Sequence, residues 1–343
     1  MASNPNFPAH LDIKPSLGLS DGDASNSFDF AAQEAAIREY GIAGRVWEAA
    51  YLLNTYIENP GDVNFEPPFL TPHAGSHLSI IELGSGTGIV SAHCAERLAD
   101  QPSVIITTDL PEVCPLLEKN LHKYSEPKRS SGPRLLVRPL GWGCYEHALA
   151  ILDDLKNTSA RTAIDAGPNL LTHIICSDLI YFPELLAPLL RSLLHLTSPP
   201  FVTRSHTADW PSVVISYKIR SLLKEAPFWS AFGLWFSYEP VLYRRAPPRQ
   251  SGAAATGNGD VRAGQLTGTW DGAEDPEETA WRRFGSAGDD ELFIFVARRR
   301  PDSLAWTVPT DDADLLGGVG ARGDRSRKGD STFETLLLMN MEG

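Results

Sequence analysis

The sequence is short of several features that would each have set its class. Its 343 residues hold four cysteines, Cys94, Cys114, Cys144 and Cys176, and no two of them form a C-x-x-C pair. That spacing writes neither a zinc cage nor a disulfide framework, so free thiols in a reducing compartment are expected. No apolar run approaches the ~18 residues that a membrane span requires. The most leucine-rich stretch, 185–196, is broken by Pro188, Arg191 and His195. The first 29 residues lack the basic-then-apolar pattern of a secretory leader. Positive charge is also in deficit, with 30 Lys and Arg against 43 Asp and Glu and a net charge of −13. A nucleic-acid backbone demands clustered cations, so neither nucleic acid nor membrane is expected as the partner. The reading is of a soluble cytoplasmic chain, with the nucleus as the alternative, whose oligomeric state the sequence does not specify.

Hydrophobic residues make up 42% of the chain and charged residues 21%, enough for a real core. Residues 1–27 are rich in Asn, Pro, Ser, Gly and Asp and read as a disordered lead-in. Helical spacing appears at 46–57. From Leu78 the pattern becomes an alternation: strands at 78–83, 104–108, 135–137, 173–177 and 213–217, with helices at 88–98, 111–121, 185–196 and up to about 232. Further strands are expected at 235–243 and 292–296. Such β-α-β repetition with buried-looking strands means a mostly parallel sheet with helices on both faces. Residues 245–288 read as a flexible insertion; 251–268 alone contain 5 Gly and 4 Ala. The tail, 301–343, is expected to be mostly disordered, with an apolar patch at 333–341 able to dock. That leaves a single domain over 28–300.

The first strand runs into Glu82-Leu83-Gly84-Ser85-Gly86-Thr87-Gly88. Glycines at a strand-to-helix turn let a ligand approach the backbone, and the following helix offers unpaired N–H groups. A dinucleotide loop is usually G-x-G-x-x-G; here the third glycine comes one residue early. Glu82 would repel a phosphate but suits a cationic amino-acid group. Asp109 ends the second strand, where a carboxylate can accept from both hydroxyls of a ribose; its alternative is to stabilise the helix expected at Pro111.

The set Val46-Trp47-Glu48, the glycine loop, Thr108-Asp109-Leu110-Pro111 with Asn120, Leu140-Gly141-Trp142-Gly143 and Asp178-Leu179-Ile180-Tyr181 resembles the seven-β-strand protein-lysine methyltransferases that modify elongation factors and chaperones. The resemblance implies a Rossmann-like α/β fold with a mostly parallel seven-stranded sheet, and S-adenosylmethionine (SAM) as cofactor. It implies that Gly84, Ser85 and Gly86 cradle the methionine part, with Glu82 beside it, that Asp109 holds the ribose, and that Trp142 covers the adenine. Trp47 would close the pocket and Ser177 would add a contact. Asp178 and Tyr181 would stand where the target side chain enters, as the catalytic pair. Each tryptophan has an alternative as a core anchor, and Asp178 as the cap of the helix near Pro183.

Methyl transfer to lysine would require a neutral amine aligned with the methyl group, held by Asp178 and bounded by the Tyr181 ring. The protein substrate would be an elongation factor or a chaperone. Two other classes stay open: another acceptor, such as a small molecule or histidine, and a non-catalytic SAM-binding module. The residues His93, His173, His195 and His206 have no metal-ligand spacing, so no metal is expected. Arg298-Arg299-Arg300 reads as solvated, or paired with the acidic insertion.

Overall fold

Leu78–Leu83 (β2) and Ser103–Asp109 (β3) are buried along their whole length, which only a sheet covered on both faces allows. The computed structural model describes residues 6–8, 11–17, 27–70, 78–125, 132–162, 170–202, 210–245, 280–286 and 292–341. Its main sheet runs in the order β4-β3-β2-β5-β6-β10-β7, with β4 at Arg134–Pro139, β5 at His173–Ser177 and β6 at Ser212–Lys218. β7 covers Phe236–Pro240 and β10 covers Leu292–Arg299. The first five strands in that order are mutually parallel, whereas β10 is antiparallel to β6 and β7. The expected Rossmann-like α/β fold is thus present, and the two-residue period divides its sides. Ile80 and Ile105 face α2 (Glu48–Glu58), α3 (Ile89–Arg97) and α4 (Cys114–Leu121). Ile81, Val104 and Ile106 face α5 (Tyr145–Thr162), α6 (Pro183–Leu196) and α7 (Leu222–Trp235).

Several expectations are adjusted. The run 235–243 is not one strand. It serves β7, then passes buried Val241 and enters β8 (Leu242–Arg245), which joins β1 (Val63–Glu66) and β9 (Arg282–Arg283) in a separate three-stranded sheet. Pro111 lies in a turn, and α4 begins only at Cys114 with Pro115 in its first turn, so Asp109 does not cap it. Helix α1 (Phe30–Tyr40) fills the alanine-rich run before Trp47, capped by the Asp29 carboxylate accepting from Ala32 N at 2.8 Å. In the lead-in, Asn6 and Ser16 are buried, and Ser16 is tied to Gln33 of α1 through its N–H at 3.1 Å. Lead-in residues 1–5, 9–10 and 18–26, and 246–279 and 287–288 of the insertion, lie outside the described residues.

The expectation of a mostly disordered tail is overturned for 301–341. A 3-10 turn at Pro301–Ala305, α8 (Asp312–Leu316) and α9 (Thr332–Met341) pack on α6 and α7. Phe333 is 1% exposed and stacks on Trp229 at 4.8 Å and 9°. Its anchors, Leu315, Ala321 and Phe333, are too widely spaced for any local window to read as amphipathic. Arg299 is likewise not solvated: at 3% exposure it donates to Thr197 Oγ1 at 3.2 Å and to the carbonyl of Ser303 at 3.2 Å. Burial among these neutral acceptors pushes its guanidinium down to about 9.

Candidate active site

In parallel α/β sheets ligands gather beyond the carboxyl ends of the strands, where the order reverses. Here β2 lies between β3 and β5, and residues at or just past the carboxyl ends of β2, β3, β4, β5 and β6 converge. They line a cavity of about 400 Å³, to which every expected cofactor-binding and catalytic residue contributes: Trp47, Glu82, Gly84, Ser85, Gly86, Asp109, Trp142, Ser177, Asp178 and Tyr181.

The glycine loop is braced from below. Ser85 N donates to Thr108 O at 2.9 Å, Thr108 Oγ1 donates to Glu82 O at 2.7 Å, and Asn120 Nδ2 donates to Thr87 O at 2.9 Å. Gly84 and Gly86 have φ of 55° and 53°, a region open to glycine at little cost. A Cβ on Gly84 would lie 2.8 Å from Trp142 Cζ2, and one on Gly86 would lie 3.0 Å from Ala43 O. Bare backbone is therefore required on that floor.

The two carboxylates of this end first hold protein. Glu82 Oε2 accepts from Ser91 N at 3.1 Å and from Ser91 Oγ. It thereby caps α3, whose N-cap residue, Gly88, has no side chain to do so. Burial pushes Glu82 up to about 7 despite the hydrogen bonds from Ser91 and Ser85. Asp109 Oδ2 accepts from Gly86 N and Oδ1 from Leu110 N, both at 2.7 Å, while burial raises it to about 6. A carboxylate has about four acceptor positions, so a pair of hydroxyls can still be received. Trp142 stands on a short loop fixed on either side, with Gly141 N donating to His147 Nδ1 at 3.0 Å and Gly143 N to Ser192 Oγ at 2.7 Å. Trp47, at the start of α2, donates through Nε1 to Ile42 O at 3.1 Å. Ser177 Oγ accepts from Ser216 Oγ at 3.2 Å.

At the other end Asp178 has a left-handed backbone, φ 62°, which Asp tolerates better than most residues. Its side chain is 0% exposed, and it does not stand open to an incoming amine as expected. Arg220 grips both oxygens, Nη1 donating to Oδ1 at 2.7 Å and Nη2 to Oδ2. The Arg220 guanidinium also lies 5.2 Å from the Trp47 ring centre and 4.0 Å from Glu48 Oε2. Glu225 shapes the loop that presents it, accepting from Arg220 N at 3.3 Å and Ser221 N at 3.0 Å. Tyr181 is half-buried beside this pair, its ring against Phe182 at 4.7 Å, and burial raises its phenol well above the ordinary range. Sequence reasoning missed Arg220, and Arg45, which also lines the cavity. The position of Arg220, two residues past β6, was the available signal.

The donor set suits SAM. The cradle admits a ligand against bare backbone, Asp109 offers acceptors for ribose hydroxyls, Trp142 offers a ring for adenine, and Glu82 a carboxylate near a cationic amine. Among the described residues no group of three or more His, Cys, Asp or Glu could hold a metal, and no helix is long and apolar enough to cross a membrane.

Comparison with known proteins agrees. The chain is 29% identical over 180 residues to the mouse (Mus musculus) protein EEF1A lysine methyltransferase 3, covering 51% of this chain and 62% of that one. It is 30% identical over 180 residues to Protein N-lysine methyltransferase METTL21A of Xenopus tropicalis, covering 51% and 67%. The matched region thus spans about two thirds of these relatives' length or slightly less. Among solved structures, the CurJ carbon methyltransferase matches with a TM-score of 0.31 and 11% identity, covering 67% of this chain and 50% of that one. A sequence model described as lysine methyltransferase matches residues 26–230, well over half of the chain, which therefore belongs to the lysine methyltransferase family.

Proposed function

We propose that this protein transfers a methyl group from SAM to a lysine side chain of another protein, an elongation factor or a chaperone. One observation carries the reading. A single cavity joins a floor of bare glycine backbone and Asp109 to an end built from Asp178, Arg220 and Tyr181. Bound SAM would supply an electrophilic methyl group on a sulfonium.

The protein's part is to hold and align. Gly84–Gly86 and Asp109 fix the cofactor end, while Trp47 and Trp142 wall it from two directions. The acceptor must arrive with its nitrogen lone pair in line with the methyl group, and such positioning supplies much of the acceleration. Lysine, with a pKa near 10.4, must also lose a proton, at a cost of about 4.6 kcal/mol at pH 7. The apolar residues Leu140, Leu179, Phe182 and Leu185 line the same cavity and lower that cost by disfavouring the charged form. The Tyr181 ring bounds the acceptor end and favours a cation there before the proton leaves.

Calorimetric titration with SAM and, separately, with NAD tests the cofactor. One SAM site and no NAD binding are expected; NAD binding without SAM binding would contradict the proposal. Incubation with labelled SAM and a purified elongation factor or chaperone tests the acceptor, with methyl-lysine expected on hydrolysis.

A further inference from the structure

Asp178 is a buried carboxylate whose partner is already in place. Its side chain is fully buried, that of Arg220 is 29% exposed, and the two make a bidentate pair at the acceptor end of the cavity. Removing the cation from such a carboxylate leaves an uncompensated buried charge, a strongly unfavourable state. Exchanging it for another cation does not. The surroundings of Arg220 permit the exchange, because its guanidinium already lies 4.0 Å from Glu48 Oε2 and 5.2 Å from the centre of the Trp47 ring. Glu48 Oε1 and the Trp47 ring already hold Arg45, so a short swing takes the departing Arg220 guanidinium to the other carboxylate oxygen, Oε2, beside the same ring.

We propose that Arg220 is an internal stand-in for the acceptor's cation, and that the Arg220–Asp178 pair sets acceptor specificity by cation exchange. A lysine ammonium takes the place of Arg220 on Asp178, and Arg220 moves to Glu48 and Trp47. A hydroxyl or a thiol acceptor brings no charge and would strand Asp178, so it is rejected however well its shape fits. The inference rests on the reading that the acceptor end receives a lysine, and it adds the group that must move first. No bond is made or broken in this step, since one cation replaces another.

The test uses small probes in place of the protein acceptor. Wild type, Arg220→Ala and Arg220→Gln are titrated in a calorimeter, at constant ionic strength, with guanidinium, n-butylammonium and n-butanol. Removing Arg220 is expected to create saturable sites for both cations, at least tenfold tighter than in wild type, and none for n-butanol. Adding Asp178→Asn to either variant is expected to abolish the gain. Equal cation binding by wild type and both variants, or n-butanol bound as well as n-butylammonium, would overturn the proposal. SAM affinity and the melting curve show whether each variant is folded, and Arg220→Gln serves if Arg220→Ala is not. In turnover, Arg220→Ala is expected to lower KM for the protein acceptor, and millimolar guanidinium to raise it again. Restoration of a lost kcat by guanidinium, with KM unchanged, would make Arg220 a positioning residue instead. Cation exchange seen in a protein that methylates no lysine would defeat the functional reading alone. Lysine methylation without cation exchange would defeat this inference alone.

Discussion

Glu82 and Asp109 each do two jobs, and their titration exposes both. Glu82 is 2% exposed, and its native pKa of about 7 lies above the ~4.3 of an unfolded glutamate. Between those values the native state holds more protons than the unfolded chain. The contribution of this group to stability is therefore full at low pH and lost as pH rises through 7. His173 works in the opposite direction: burial holds it down to about 4, so its contribution is lost as pH falls from about 6.5 toward that value. Comparing Glu82→Gln with wild type isolates the first effect. Urea unfolding at pH 5, 6.5 and 8 is expected to show the variant gaining on wild type as pH rises. A difference independent of pH would mean that Glu82 is solvated. Asp109→Ala removes the charged acceptor and releases Gly86 N, so SAM affinity is expected to fall by roughly 1.5–3 kcal/mol, one to two orders of magnitude. In wild type the affinity is expected to weaken as pH drops through about 6, where Asp109 takes up its proton. A calorimetric dissociation constant indifferent to both changes would contradict the role given to Asp109.

At the scale of elements, the tail makes the sharpest prediction. Phe333 of α9 packs against Trp229, Tyr217 and Phe295. Phe333→Ala is expected to destabilise the protein by about 3–5 kcal/mol, read as a lower urea midpoint, with SAM affinity preserved. No change in the midpoint would return α9 to the status of a loose tail. The core strands were legible because Leu78–Leu83 and His173–Ser177 are short apolar runs ended by loop residues, and such runs belong to buried parallel strands. The ring of motifs was legible for a related reason: Gly84–Gly88 and Asp178 follow a strand end and Asp109 closes one. What escaped depends on long-range partners. Helix α5 carries Ala148, Ile151, Leu152 and Leu155 at helical spacing, yet the sequence reading assigns no element there. The tail helix is apolar nearly all round, so its burial is decided by Trp229, about a hundred residues earlier in the chain. Arg220 lies 42 residues from Asp178, and nothing local to either announces the pair. The sequence therefore shows Asp178 as an open acceptor, whereas the fold closes it with a cation.

Over the whole molecule, the strand order explains why one cavity collects residues from so many segments. With β2 between β3 and β5, β4 beyond β3 and β6 beyond β5, five parallel strands deliver their ends or following loops to the same edge. The segment before α2 lays Trp47 across that edge, and α6 closes one side with Leu185 and Pro188. The second sheet, β1-β8-β9, and the packed tail lie outside the strands that supply these loops. The central claim is methyl transfer to protein lysine, and it is tested most directly with labelled SAM in a lysate from cells lacking this protein, using wild type and Asp178→Ala. The account predicts a labelled protein band that yields methyl-lysine on hydrolysis, lost with the variant although SAM still binds to it. Label recovered on another side chain or on small molecules alone, or equal labelling by the variant, would contradict it.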